Sequence, residues 1–342
     1  ITIDGDIYTA PTTDITGVPD SRPSPAGTIP DMGAYENSNG VVSYSGDSYY
    51  VSASSNYGNG SSTYPFPAIQ QGIDASSSGD TVSVAAGTYV ENLVFGGKNL
   101  SLIGADSSNT IIDGDSVSQV INLNNGEDST TVIKNFTLRN GIGWENNGSA
   151  ILMNGSDYGP KLENLCITQN YDNAITSFGS TFSLKNSRLI NNYNRALSIQ
   201  HPQLSTIDNV IISGNANGID VTDASPTFTN CVISNNTASG SGGGIYSENS
   251  SFTLDGVTVS NNTSTGDDPQ ISEAGGISVS TENDSSNKHI RIVNSIISSN
   301  TASGGSSTGG LLIFNIDSVT IASTEINGNS GMFTGGLYTN QV

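Results

Sequence analysis

Few side chains in this chain can move a proton or hold a metal ion. Its two histidines, His201 and His289, and two cysteines, Cys166 and Cys231, sit at spacings unrelated to those of a zinc site. Adjacent Asp267 and Asp268 have the chemistry of a paired-acid centre, in which one carboxyl protonates a leaving group while the other acts as base or nucleophile. They fall within STGDDPQISEA, which reads as a solvated charged turn. Asp113 and Asp115 form a DGD tripeptide, but it lacks the further spaced oxygen ligands of a calcium loop and reads as a turn. In KHIRI, His289 and Arg291 alternate onto one side of a strand with no matching Asp pair, and His201 precedes Pro202 in a connection. No catalytic residue, resident metal or cofactor is assigned, although so acidic a surface would collect adventitious calcium.

The balance of charge excludes other classes. Ten Lys and Arg stand against 31 Asp and Glu, a formal net charge of −21 in 342 residues. Both nucleic acid and an anionic membrane surface would repel such a chain. No stretch approaches the roughly 18 to 20 apolar residues that span a bilayer, so direct membrane insertion is not expected. Charged residues supply only 12% of positions, while there are 40 Gly and 39 Asn, so solubility rests on amides and hydroxyls.

The elements that position these groups emerge from an internal repeat beginning near residue 149. One apolar column runs Ile151, Ile175, Leu197, Ile219, Ile245, Ile277, Leu311, Leu337. A second runs Leu162, Leu184, Ile207, Phe228, Leu254, Ile292, Ile321, and a third Ile167, Leu189, Ile212, Ile233, Val259, Ile297, Ile326. Second and third columns are always five residues apart, which implies a fixed corner. Around each position apolar and polar residues alternate, as in SFTLDGVTVSNN, with the period of a strand. Copies of 21 to 38 residues with three short strands each predict an all-β, single-stranded parallel β-helix. Cys166 and Cys231 then lie three coils apart, about 14 Å at the strand spacing and beyond the roughly 7 Å limit for a disulfide, so both are expected as buried free thiols.

Asparagine marks the corners. Asn164, Asn186, Asn209, Asn230 and Asn294 follow the second column by two residues, with Gly256 and Ser323 in the other copies. Asn170, Asn192, Asn215, Asn236, Asn262, Asn300 and Asn329 follow the third column by three. Asn tolerates left-handed backbone angles, and stacked amides bond from coil to coil, so both series are read as corner ladders.

Residues 47–114, YYVSASSNYGNGSSTYPFPAIQQGIDASSSGDTVSVAAGTYVENLVFGGKNLSLIGADSSNTIIDG within them, resemble the opening of bacterial secreted proteins with the pectin-lyase-like right-handed β-helix fold. That resemblance supplies the right-handed sense. Phe66, Ile69 and Ile73 lie at helical spacing, so a capping helix is expected near 65–76 over the open end of the first coil. Residues 11–36, with DITGVPDSRPSPAGTIPDMGAYE, are similar to the closing segment of such a domain, so 1–36 is read as the tail of a preceding β-helix, with 37–46 as linker. Residues 47–342 form the β-helix domain, whose last segment GGLYTNQV starts a further coil. Later copies, roughly 230 to 340, also resemble repeats of polymorphic outer-membrane adhesins.

Pectate-lyase-like enzymes carry calcium-binding acids and a base on the outward positions of the first strand. Here those positions read Leu152, Thr176, Ser198, Asp220, Tyr246, Ser278, Leu312, Tyr338 and, two residues on, Asn154, Phe178, Gln200, Thr222, Glu248, Ser280, Phe314, Asn340. Only Asp220 and Glu248 are acidic, and none is basic. Tyr246, Leu312, Phe314 and Tyr338 are expected to project from one face of the late coils, where aromatics could meet sugars or a protein. The resulting expectation is a non-catalytic extracellular or cell-surface module, structural or adhesive, in a larger tandem protein. Its expected partners are neighbouring β-helix domains, glycans, cell-surface proteins or copies of itself. A polysaccharide-active enzyme or carbohydrate-binding module, and a self-assembling fibre subunit, are the alternatives.

Overall fold

A computed structural model describes residues 44–340 apart from 144–147, 156–157, 202–203, 241, 267–272, 282–286 and 305, together with the backbone of 2–3 and 6–7. Apart from those four backbone positions the proposed preceding-domain tail lies outside the described residues, as do most of the linker and Asp267 and Asp268. Thr2–Ile3 and Asp6–Ile7 pair antiparallel.

Three parallel sheets of eleven, ten and ten strands wind around one apolar core. Each sheet carries one column. Ile151, Ile175, Leu197, Ile219, Ile245, Ile277, Leu311 and Leu337 are direct register partners from coil to coil. The second and third columns hold register equally, through pairs such as Leu254 with Ile292 and Val259 with Ile297. The sequence repeat is legible only from residue 149, but the columns begin earlier. Leu93 and Ile121 head the first, Tyr49, Val82, Leu102 and Ile133 the second, and Tyr89, Ile112 and Leu138 the third. A correction concerns the strand count. Thr237–Ala238, Thr263–Ser264, Thr301–Ala302 and Ser330–Gly331 form a further four-stranded sheet, so four late coils carry a fourth short strand after the buried Asn.

The two Asn series divide the work at the corners. In the first, Asn164, Asn186, Asn209, Asn230 and Asn294 have φ between 51° and 54°, and Gly256 and Ser323 take the same region. These Asn are exposed, and their amides bond to neighbours irregularly, as Asn209 Nδ2 does to Asn186 Oδ1 at 2.8 Å. Their contribution is the left-handed backbone that Asn tolerates better than most residues. In the second series the left-handed residue is the one before the ladder Asn: Gln169, Asn191, Gly214, Asn235, Asn261, Ser299 or Gly328. The expectation that both series do both jobs is corrected here.

The second series forms the buried ladder. Asn215 Oδ1 accepts from both the backbone N–H and Nδ2 of Asn192, each at 2.9 Å. The other proton of Asn215 Nδ2 goes back to the carbonyl of Leu189 at 3.0 Å, while the N–H and Nδ2 of Asn215 both donate to Asn236 Oδ1 at 3.0 Å. The same pattern runs from Asn170 to Asn329. Repeated satisfaction lets polar amides sit in the core at little cost. Small residues make room for it. A Cβ on Gly276 would meet Asn300 Nδ2 at 3.0 Å and the Gly310 carbonyl oxygen closer still.

At the N-terminal end a helix, α1 (Ile69–Ala75), buries Ile69, Gly72 and Ile73 against the first coil. It is shorter than the expected 65–76, and Phe66 instead bridges to Val51. Ala68 gives α1 no side-chain cap, so the first coil supplies one. Glu91 accepts from the N–H groups of Ile69 and Gln70 at 2.8 and 2.9 Å, and Lys98 Nζ donates to the carbonyls of Ile73 and Asp74 at 2.8 Å. Gln70 covers a sheet edge. Its Nε2 donates to Val94 O and its Oε1 accepts from Val94 N, at 3.0 and 2.9 Å, standing in for a neighbouring strand.

Replacing Asn215 by Leu orphans the N–H and amide of Asn192 and the carbonyl of Leu189, so a loss of about 1–3 kcal/mol is expected, read by denaturant or thermal unfolding. An unchanged midpoint would show that the ladder contributes nothing to stability.

Candidate ligand-binding faces

The outward side of the first sheet is where the sequence placed the sites. Register confirms that Leu152, Thr176, Ser198, Asp220, Tyr246, Ser278, Leu312 and Tyr338 form one row. That row is not an open trough. Leu152, Thr176, Ser198, Ser278 and Leu312 are buried. Leu312, expected to project, is only 3% exposed, which removes it as a contact residue and separates Tyr246 from the two late aromatics. Phe314 and Tyr338 do meet, with centroids 5.9 Å apart, and Phe333 packs edge-on against Tyr338 at 5.3 Å. Phe333 was not anticipated, because it lies in a turn outside the strand columns.

The acids of this face are tied down. Asp220 Oδ2 lies 3.1 Å from Arg195 Nε, and its Oδ1 accepts from Thr222 Oγ1 at 3.1 Å. Tyr246 donates to Glu248 Oε2 at 3.2 Å. Burial pushes the Asp220 carboxyl up from the ordinary aspartate value, and the Arg195 charge only partly offsets it. Burial and the Glu248 charge push the Tyr246 phenol up to about 12, so it stays protonated as a donor. The reading that no basic side chain reaches this face is corrected by Arg195. Strand alternation gives Arg195 the same parity as core residue Leu197, but it sits at the start of its strand, Arg195–Gln200, where the corner turns it onto Asp220.

Other candidates resolve simply. Asp113 Oδ1 accepts from Asn140 Nδ2 and from Asp115 N, and Oδ2 pairs with Arg139 Nε at 2.8 Å, so DGD is a turn with its oxygens engaged. Partial burial would raise the Asp113 carboxyl, but these hydrogen bonds and the Arg139 charge together hold it below its ordinary value. Cys166 and Cys231 are buried free thiols, and burial pushes Cys231 to about 11, leaving it unreactive. The His289 ring bonds to nearby Asn287 Oδ1 at 2.9 Å, and its backbone N–H donates to Ser251 Oγ at 3.0 Å. Among the described residues no group of three His, Cys, Asp or Glu is gathered for a metal ion, and no helix is long and apolar enough to cross a membrane.

Two further surfaces lie outside the expected set. A groove of about 470 Å³ beside the first coils is lined by Tyr50, Ser52, Pro65, Ser83 and Ile103 among others. Its walls hold hydroxyls and small apolar groups. The second is a pair of exposed tyrosines, Tyr171 and Tyr193, stacked at 5.0 Å with planes 30° apart. Each stands one residue past a ladder Asn, a spacing visible in the sequence once the ladder is recognised.

A family model described as right handed beta helix region matches residues 101–264. Among solved structures the chain is similar to that of pectate lyase Pel9A, with a TM-score of 0.53 at 15% identity, over 82% of this chain and 78% of that one. It is also similar to the catalytic domain of GH87 alpha-1,3-glucanase in complex with nigerose (TM-score 0.47, 14% identity, 90% of this chain and 70% of that one). The Azotobacter vinelandii mannuronan C-5 epimerase AlgE4 A-module gives 0.37 at 14% identity, over 77% and 94%. No curated protein sequence matches the chain. At such identities the likeness is one of fold, and the fold is the right-handed parallel β-helix.

Two titrations test the electrostatics. The depressed Asp113 carboxyl contributes stability that is complete above about pH 4 and lost as pH falls through its folded value. Melting curves from pH 2 to 6 should therefore show a shallower acid limb for Asp113→Asn than for the wild type, and superimposable limbs would refute the assignment. For Asp220 the sign is opposite. Its raised value means that ionisation costs the fold stability as pH rises past the unfolded value. Asp220→Asn should leave the pH 7 melting temperature equal or higher, and a drop of several degrees would show that the Arg195 pair outweighs burial.

Proposed function

We propose that this chain is a non-catalytic β-helix module, a rigid structural or adhesive segment of a larger extracellular or cell-surface protein. The observation that carries this reading is the closed first-sheet face. A polysaccharide-cleaving centre needs an accessible trough with an acid and base free to act. Here the row's small polar residues are buried, Asp220 is held by Arg195 and Thr222, and Glu248 accepts from a phenol. The net charge of −21 also opposes recruitment of a polyanion such as a uronate chain. What the molecule offers is stiffness. One core runs through every coil, with sheets and ladder in continuous register, which suits a spacer or a platform for surface contacts.

Pectate lyase activity belongs to the named neighbour, and the likeness at 15% identity carries the fold alone. Adhesive partners fit the module's exposed edges, including glycans, cell-surface proteins and other β-helix domains. Incubating the protein with uronate and neutral polysaccharides, then assaying unsaturated and reducing products, should give no turnover. Turnover that vanishes in Asp220→Ala or Glu248→Ala would replace this reading by an enzymatic one.

A further inference from the structure

We infer that the exposed corner beside Tyr193 is a binding site for a neutral pyranose unit of a glycan, seated over Ala216. The inference rests on the adhesive reading above and names its ligand class. The residue one past each ladder Asn forms its own row along the axis: Tyr171, Tyr193, Ala216, Thr237. Backbone bonds fix that register, with Tyr193 N donating to Asn170 O, Ala216 N to Asn192 O and Thr237 N to Asn215 O. Tyr171 and Tyr193 are 50% and 56% exposed, large for aromatic rings on a folded surface. One flat face of Tyr193 meets Tyr171. On the next rung stands only the methyl of Ala216, itself exposed.

Geometry makes this a seat one ring deep. Successive rungs are about 4.8 Å apart, so Tyr193 and Thr237, two coils apart, frame a space of about twice that above Ala216. A ring stacked on an aromatic sits about 4.5–7 Å from its centroid, which places it over Ala216 and short of Thr237. Hydrogen-bonding groups border the seat. Beside the tyrosine row runs a second row, with Asn194 Nδ2 bonded to Asp172 Oδ1 at 3.0 Å and Asn217 Nδ2 to Asn194 Oδ1 at 3.4 Å. Neither Asn217 Oδ1 nor Thr237 Oγ1 takes part in a hydrogen bond among the described residues, and both flank the vacant rung.

An apolar ring face ringed by an amide and a hydroxyl matches a pyranose, whose C–H face stacks on aromatic π-density while its equatorial hydroxyls bond in plane. Charge selects the neutral class. Asp172 lies in the adjoining row, the chain carries −21, and Arg195, the register partner of Asn217, is committed to Asp220. A uronate or phosphate would meet repulsion without compensation.

The test is affinity electrophoresis of the full chain in gels containing mixed-linkage β-glucan, xylan or galactomannan, with polygalacturonate as the anionic comparison. Retardation is expected in at least one neutral gel and not in polygalacturonate. Tyr193→Ala should weaken it at least tenfold, Ala216→Tyr should abolish it by filling the seat, and Tyr193→Phe should retain it. Circular dichroism melts of all three should match the wild type, since the row lies outside the core. No retardation in any neutral gel, retardation indifferent to both Tyr193→Ala and Ala216→Tyr, or binding of polygalacturonate alone would overturn the site. Appearance of cleavage products in the same gels would instead overturn the non-catalytic reading, so the two failures are distinguishable.

Discussion

A coil of this protein must turn corners without leaving peptide groups unpaired in its core, and from Asn170 to Asn329 the Asn ladder meets that requirement. From Asn192 to Asn300 each amide oxygen receives two donors from the coil before, and each amide nitrogen serves the coil after and a carbonyl behind. Because an amide carries donors and an acceptor in one plane, a single residue type repeated at one position satisfies itself indefinitely. The rest follows from that repetition. Sheets stay in register because the corner is fixed, the three columns stack because the sheets do, and small residues such as Gly276 line the ladder because nothing larger fits.

The same constraint explains how a chain with only 34% hydrophobic residues keeps a continuous core. Three narrow columns suffice when polar corners are buried in satisfied form instead of being left to water. It also explains why the ends need separate treatment. Over the first described coil lies α1, its N-terminus capped by Glu91, its C-terminus by Lys98, and the exposed sheet edge met by Gln70. The burial that raises the Glu91 carboxyl, opposed by the two backbone donors it accepts, reflects the cost of placing that cap beneath the helix.

The corners and the first-sheet face present different surfaces. The first-sheet face is closed and internally paired, whereas the row one residue past the ladder carries two large exposed rings where other coils carry Ala, Thr or Ser. Identical positions repeat at the strand spacing, so a side chain on one coil and a ligand on the next can form one continuous stack.

The sequence by itself determined the axial order of this molecule. Strand alternation and the five-residue corner named the three columns, and every partner in them holds register; the two Asn series marked both corners. Stacking translates equivalent positions onto one another, so periodicity alone says who is above whom. The repeat is not legible before residue 149 because the ladder position there reads Asn92, Asp115 and Gly141 instead of an unbroken run of Asn. Relations across a corner were left to the tertiary structure. Alternation put Arg195 inside, and the corner turned it onto Asp220; it put Leu312 outside, where the fold buries it; and it said nothing of Tyr171 and Tyr193, which lie past the strands. Side-chain direction after a left-handed turn depends on backbone dihedrals and on how the coil closes, and neither is written in the period of the sequence.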